Sequence, residues 1–276
     1  MTLRINTNVN SVFAQKNLSR TQERLRGNFE HLSSGLRITK AADDAAGLAV
    51  SENMRAEIKS LKQAQRNTND GISMVQTAES ALQEVTDIVS RMRELSVEAS
   101  SGVLQATERA YLQTEFSALQ DEIDRISDTN NFNGLQLSDG TNATVSVQVG
   151  VNNTANDRIS VSLVDSNTAA LAIDTGTIDL GSAANAQAAI TALDTALDSV
   201  NDGRADLGAA QNRLTSAMRN LENYTENLVE AESRIRDVDF AAETADMTRN
   251  NVFSQAGVSV LAQANQSPQA ALSLLQ

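Results

Sequence analysis

Ile190-Thr-Ala-Leu-Asp-Thr-Ala-Leu-Asp-Ser-Val200 opens a stretch that runs on to Ile235 without a proline. Every seventh residue from Leu193 is apolar: Leu193, Val200, Leu207, Leu214, Leu221, Leu228 and Ile235. The rung read between them is mixed: Ile190, Leu197, Arg204, Gln211, Met218, Thr225 and Glu232. A 3-4 spacing sustained this long predicts a helix that packs along a seam. At 1.5 Å per residue it would run about 69 Å. A helix of that length draws its stability from a buried face, so it needs partners of similar length. Gly203 and Gly208 fall inside it and mark either a weak point or a close approach.

Outward from this stretch the partners appear. Val75, Ala78, Leu82, Val85, Val89 and Met92 step 3, 4, 3, 4, 3 on a helix that opens near Asp43-Asp44 and ends near Ser100-Ser101-Gly102. The two carboxylates suit a helix start, where free N–H groups face them. Leu112, Phe116, Leu119, Ile123 and Ile126 predict a further helix, and Leu18, Leu25, Phe29, Leu32 and Leu36, with Gln22 between the first two, an earlier one. Between Asn131 and Leu180 the period changes. Asn133-Gly134 and Asp139-Gly140 are hairpin signals, and Val145/Val147/Val149 and Ile159/Val161/Leu163 alternate, so two to four short strands are expected. After Ile235 an Ala-rich amphipathic segment carries Val252, Phe253, Val258, Val260 and Leu261, with Ser267-Pro268 expected to interrupt it.

The fold class is therefore mainly α: a long antiparallel helical bundle or coiled coil built from both chain ends, with a small β-hairpin region in the middle. The expected divisions are 1–42, 43–130, 131–182, 183–235 and 236–276. Residues 1–40 hold seven basic residues (Arg4, Lys16, Arg20, Arg24, Arg26, Arg37, Lys40) against Glu23 and Glu30. Residues 236–276 hold Asp237, Asp239, Glu243 and Asp246 against Arg236 and Arg249. Opposite charge and matched apolar faces suit pairing of the two ends.

Composition restricts the function class. The 276 residues include 3% aromatics, no Trp, no Cys and one Pro. Such a core suits slender helices better than an enzyme interior. Without Cys there is neither disulfide nor thiolate chemistry. A net charge of −13 argues against nucleic acid as partner. No run of 18 apolar residues exists, so no membrane insertion is expected. The single His, His31, reads as an ordinary residue on a helix flank, and no phosphate loop or zinc-peptidase His pair is present. No catalytic residue, metal or cofactor is expected, and the chain is read as not an enzyme.

Both ends carry longer motifs. The head has Ile5-Asn6-Thr7-Asn8, Leu32-Ser33-Ser34-Gly35-Leu36-Arg37-Ile38 and Ala41-Ala42-Asp43-Asp44-Ala45-Ala46-Gly47-Leu48-Ala49. The tail has Ala231-Glu232-Ser233-Arg234-Ile235-Arg236-Asp237-Val238-Asp239 and Val260-Leu261-Ala262-Gln263-Ala264-Asn265-Gln266. These resemble bacterial flagellin over roughly 1–135 and 183–276, in a short form with a reduced central variable region. The resemblance implies a structural subunit of the flagellar filament, extracellular, exported unfolded by the flagellar type III route without a cleavable signal peptide. It implies an inner tube made by the paired termini and an outer tube made by the rod. The partners it implies are further copies of the chain, an export chaperone and cap, hook–filament junction proteins, and host innate immune receptors.

Two residue sets follow from the same resemblance. Arg91-Met92-Arg93-Glu94-Leu95 is similar to the segment by which the flagellin-sensing Toll-like receptor recognises monomers, with Glu115 where a third contact falls on the next helix. From spacing alone, Arg91 and Leu95 lie one turn apart on a flank outside the Val89/Met92 seam, with Leu95 exposed. Leu272, Leu274 and Leu275, three leucines in the last five residues, are expected to act in assembly, and in the family the matching leucines are read by cytosolic receptors. The alternatives are a hook–filament junction protein, which shares the terminal helices, and a soluble coiled-coil adaptor, which would explain the ladder but not two adhesive ends of opposite charge.

Overall fold

The computed structural model describes the backbone of residues 7–273 and side chains through residue 266. Among the described residues the chain forms five helices and four short strands: α1 (Val9–Ser34), α2 (Ala45–Ala99), α3 (Ala106–Thr129), β1 (Asn131–Phe132), β2 (Leu135–Gln136), β3 (Thr144–Gln148), β4 (Arg158–Ser162), α4 (Ala183–Arg236) and α5 (Phe240–Ser273). They divide into two compact units, Met1–Ile58 with Glu226–Gln276, and Lys59–Thr225. Both α2 and α4 contribute to each unit.

In the unit Lys59–Thr225, α2 and α4 run antiparallel. Arg93 Nε meets Asp194 Oδ1 at 2.6 Å, Arg204 Nη2 meets Glu79 Oε1 at 3.0 Å, and Gln65 Nε2 donates to Thr225 Oγ1 at 3.2 Å. The expected α2 seam from Val75 to Met92 is buried throughout. It extends further back than its apolar residues suggest, through Leu61, Ala64 and Thr68. Thr68 and, past the other end, Ser96 sit in the seam because each hydroxyl donates to the carbonyl four residues earlier, Ala64 at 2.7 Å and Met92 at 2.9 Å. A polar group thus satisfied is tolerated in a core.

The α4 ladder is buried at Leu193, Val200, Leu207, Leu214 and Leu221. Up to residue 210 its companion rung is not the Ile190 series, which is buried further on, at Thr225. It lies one residue earlier, at Ala189, Ala196, Gly203 and Ala210. Small residues let neighbouring chain approach closely, whereas Arg204 is left at the edge where it reaches Glu79. Neither glycine breaks the helix. A Cβ at Gly203 would collide with Val164, the chain just after β4, so this glycine marks approach by a loop rather than by a helix; Gly208 has open space around it.

The middle region forms two antiparallel two-stranded sheets, β1 with β2 and β3 with β4. Asn133 (φ 51°) and Gly134 (φ 81°) are both left-handed, as a two-residue hairpin turn requires. Asp139-Gly140 does not close a hairpin. Asp139 Oδ1 accepts the N–H and hydroxyl of Thr141, which bends the chain between β2 and β3 instead. In the β3–β4 pair Val147 faces Ile159 and Val145 faces Val161. Val147, Ile159 and Val161 are buried while Thr144, Ser146, Ser160 and Ser162 point outward, the alternation expected of a sheet with one wet face.

The segment between β4 and α4 has no regular structure, yet Leu171, Ile173, Ile178 and Leu180 are buried. One polar face of α3 holds it. Gln113 Oε1 accepts from the Leu180 N–H at 2.7 Å, Gln120 Nε2 donates to the Ile173 carbonyl at 2.6 Å, and Asp124 accepts the Thr168 N–H and hydroxyl at 2.8 and 2.9 Å. Side chains thereby satisfy backbone groups that a strand or helix would otherwise satisfy. At the other end of α3, Arg109 donates to the carbonyls of Ala99 (2.9 Å) and Ser101 (2.8 Å), placing a cation on the C-terminus of α2.

Candidate assembly surfaces

Arg91 and Glu115 share one surface. Arg91 Nε and Nη2 donate to Glu115 Oε1 at 3.0 and 2.9 Å, and Nη1 donates to Glu94 Oε2 at 2.9 Å. The Glu115 carboxylate, with Glu94 adding, holds the guanidinium above its usual range. Both partners are about half exposed, 50% and 46%, so the pair orients the flank more than it stabilises the fold. Leu95 does not join them on that surface. It is 1% exposed and belongs to the same buried cluster as Phe116 and Ile123 of α3. The expectation of an exposed leucine fails because α2 has two neighbours in its last turns. One α2 face meets α4, and α3 lies beside the same turns, where Arg91 reaches Glu115 and Arg109 reaches the Ala99 carbonyl.

The second surface is on the unit formed by the chain ends. Helices α1 and α5 pair antiparallel, with Asn8 against Ala264 and Asn28 against Glu243 and Asn250. The paired face of α1 is Asn8, Ser11, Ala14, Leu18, Thr21, Leu25 and Asn28; that of α5 is Glu243, Met247, Asn250, Ser254, Gly257, Leu261 and Ala264. Both follow 3-4 spacing, but polar and small residues dominate. The expected seam is half-buried at Leu18, Leu25, Leu32 and Leu36 but fails at two positions. Thr21 replaces Gln22, and Phe29 is exposed at 53%. Val9, Val12, Phe13, Val252, Phe253, Val258 and Val260 are exposed as well. The helix pair therefore leaves large apolar side chains outside, interspersed with the exposed charges of Lys16, Arg20, Arg24 and Arg26.

Helix α5 continues through Pro268 to Ser273, so the expected interruption does not occur. The carbonyl left without its usual donor is that of Ala264, and Asn8 Nδ2 donates to it at 2.7 Å. Leu272 lies in the last turn of α5, and Leu274 and Leu275 lie outside the described residues.

The connectors between the helices are zipped together. The Arg37 N–H donates to the Arg236 carbonyl at 2.7 Å, the Val238 N–H to the Gly35 carbonyl at 3.0 Å, and Arg37 Nη2 to the Ile235 carbonyl at 2.6 Å. Leu36 and Asp237 form an antiparallel bridge. His31, expected on a free flank, stands beside this junction instead. Its Nδ1 lies 3.3 Å from Glu243 of α5 and its Nε2 lies 3.8 Å from Asp43 of the α1–α2 connector. Sequence spacing missed His31, Asn28 and Asn8 because each is a polar residue on an apolar-seeking helix face, where only a partner's identity explains it.

The two carboxylates at the start of α2 have separate tasks. Asp44 Oδ1 accepts from the Gly47 N–H at 2.9 Å and caps α2. Asp43 Oδ2 accepts the N–H groups of Lys40 (2.9 Å) and Thr39 (3.0 Å) and the Thr39 hydroxyl (3.0 Å). These bonds, the Lys40 N–H first and with His31 adding, hold Asp43 below its ordinary carboxylate range. A depressed carboxylate contributes stability above its unfolded pKa and loses it as pH falls through its folded pKa. The turn 39–44 will therefore loosen in acid, as pH falls below the ordinary carboxylate range. An NMR titration of the Lys40 amide will follow Asp43, and Asp43→Asn will abolish that step.

Among the described residues no group of His, Asp and Glu forms a metal site, and no helix is long and apolar enough to cross a membrane. Residues 5–143 match the family described as the bacterial flagellin N-terminal helical region, and residues 190–275 match the bacterial flagellin C-terminal helical region. The chain is 48% identical to a flagellin of Halalkalibacterium halodurans over 272 residues, covering 99% of each chain. It is 44% identical to a flagellar filament 33 kDa core protein of Treponema phagedenis, again covering 99% of each. In structure it is similar to the crystallised flagellin of Bacillus cereus, with a TM-score of 0.50 and 36% identity, over 56% of this chain and 88% of that one. Helices at both ends, a reduced middle and these matches across both terminal regions lead to one conclusion: the chain belongs to the bacterial flagellin family.

Proposed function

We propose that this flagellin, a structural subunit that polymerises into the flagellar filament, assembles through the outward apolar face of its α1–α5 pair and through its last leucines. The observation that carries the reading is the set of large apolar residues that the helix pair leaves outside. Phe13 is 67% exposed and Val260 58%, while Asn8, Ser11 and Asn28 are turned inward. A pair built to stand alone would bury such residues, because burial of apolar surface is what stabilises packed helices. Large exposed apolar patches are interaction sites. In the monomer, the described parts of both chain ends, 7–40 and 240–273, are then largely unfolded and order on assembly. In the filament, residues 1–42 and 236–276 form the inner tube, and 43–130 and 183–235 the outer tube, with 131–182 on the outside.

Leu272, Leu274 and Leu275 are assigned to assembly from the sequence, three leucines in the last five residues. Removing the last six residues will abolish polymerisation while the unit Lys59–Thr225 melts unchanged. Seeded growth followed by electron microscopy, with a thermal melt alongside, tests this. Normal filaments from the truncated chain would refute it.

The finer partners fit the same account. A chain whose ends fold only on assembly needs an export chaperone and a cap to keep them from aggregating, and leaves the cell by the type III route to an extracellular filament. The Arg91–Glu115 flank packs on a neighbouring copy and, in free subunits, is what the host receptor reads. Identities of 48% and 44% over 99% of the length of two flagellar filament relatives favour the filament subunit over a hook–filament junction protein.

A further inference from the structure

We infer that Asn8 and Pro268 together set the register in which the two chain ends pair, with Asn8 reading the one helix carbonyl that Pro268 leaves free. This rests on the assembly reading above.

The paired faces of α1 and α5 specify register weakly. From Asn8 to Asn28 and from Glu243 to Ala264 they hold Leu18, Leu25, Leu261 and Met247 as large apolar side chains, with half-buried Leu32 in the last turns of α1, and the rest are small or polar. A shift by one heptad would keep a similar face. Specific polar contacts are what a weak seam needs, as a buried Asn does in coiled coils. The contact at the far end is unusual in what it binds. Within a helix, each carbonyl accepts from the N–H four residues on. Residue 268 is proline and has no N–H, so the carbonyl of Ala264 lacks its donor. The chain holds one proline, so a helix carbonyl is freed in this way at a single place. Asn8 Nδ2 donates there at 2.7 Å.

The Asn8 amide is fully committed in this arrangement. Its Oδ1 accepts from the Ser11 N–H at 3.1 Å, capping α1, while its Nδ2 takes the Ala264 carbonyl. The capping bond fixes which end of the amide faces α5. Ser11 Oγ donates to Asn265 Oδ1 at 2.7 Å nearby, but that pair is exposed and both groups have water as an alternative.

Asn8→Asp separates the two tasks, because a carboxylate still caps α1 but has no N–H for Ala264. The test is the critical concentration for seeded polymerisation of the full-length chain, measured by sedimentation. Asn8→Asp is expected to raise it about tenfold, since it leaves two acceptors facing each other. Ser11→Ala is expected to stay within about twofold. In a Pro268→Ala background residue 268 regains its N–H, so Asn8→Asp is expected to lose most of its effect. Equal losses from Asn8→Asp in both backgrounds overturn the inference. So does an Asn8→Asp effect no larger than that of Ser11→Ala, a comparison that stands even where Pro268→Ala itself fails to polymerise. A wild-type chain that seeds no filaments contradicts the assembly reading, and this inference with it.

Discussion

Leu214→Asp will unfold the unit Lys59–Thr225, while Ser199→Asp on the same helix will leave it intact. Leu214 is 0% exposed and sits in the unbroken ladder Leu193, Val200, Leu207, Leu214, Leu221. Ser199 is exposed, and its hydroxyl only back-bonds to the Thr195 carbonyl. An aspartate at 214 must either carry an unpaired charge into the core or be protonated there, and it forfeits the leucine packing as well. Together these cost several kcal/mol, a large part of the roughly 5–15 kcal/mol that a domain has in total. Thermal unfolding followed by far-UV circular dichroism will show the difference, and filaments will be lost with the bundle. Equal melting temperatures for the two variants would place the seam on another face of α4.

That ladder was legible because leucine every seven residues admits one interpretation. Its partner rung was harder. Ala189, Ala196, Gly203 and Ala210 also repeat every seven residues, but alanine is common on every helix face, so the rung is silent until Val164 is seen packed against Gly203. The same holds for α3. Its apolar stripe reads directly, whereas Gln113, Gln120 and Asp124 acquire meaning only from the carbonyls and N–H groups of residues 168–180 that they hold. Polar side chains that bond to distant backbone leave no local pattern.

At the chain ends the limits are of another kind. Periodicity finds helices α1 and α5 but assigns their apolar residues to the mutual interface, because a two-element pattern normally faces inward. In a subunit that assembles, part of the apolar surface is kept for copies of itself. Phe13, Phe29, Phe253 and Val260 are on that outer face, and Asn8, Asn28 and His31 share the inward face with Leu18, Leu25 and Leu261. Pro268 illustrates the same limit: local rules end a helix there, and a residue 260 positions away supplies the missing bond.

Leu95→Ala and Arg91→Ala will separate folding from recognition on the α2–α3 flank. Leu95 is buried beneath that flank, so truncating it removes core packing at a cost of about 2–5 kcal/mol. For a unit of this size the melting temperature should fall by roughly 5–15 °C. Arg91 is half exposed and its ion pairs with Glu115 and Glu94 are open to water, so Arg91→Ala should melt with the wild type. If the flank serves both a neighbouring subunit and a receptor, Arg91→Ala will weaken receptor binding by free subunits and slow filament growth without any change in stability. An arginine at the centre of a contact has that effect when its surroundings exclude water. Leu95→Ala will reduce the same two activities, but in proportion to the unfolded fraction, and a lower assay temperature will restore them. Receptor binding that survives Arg91→Ala would remove this flank from the contact, and a wild-type melt for Leu95→Ala would remove Leu95 from the core.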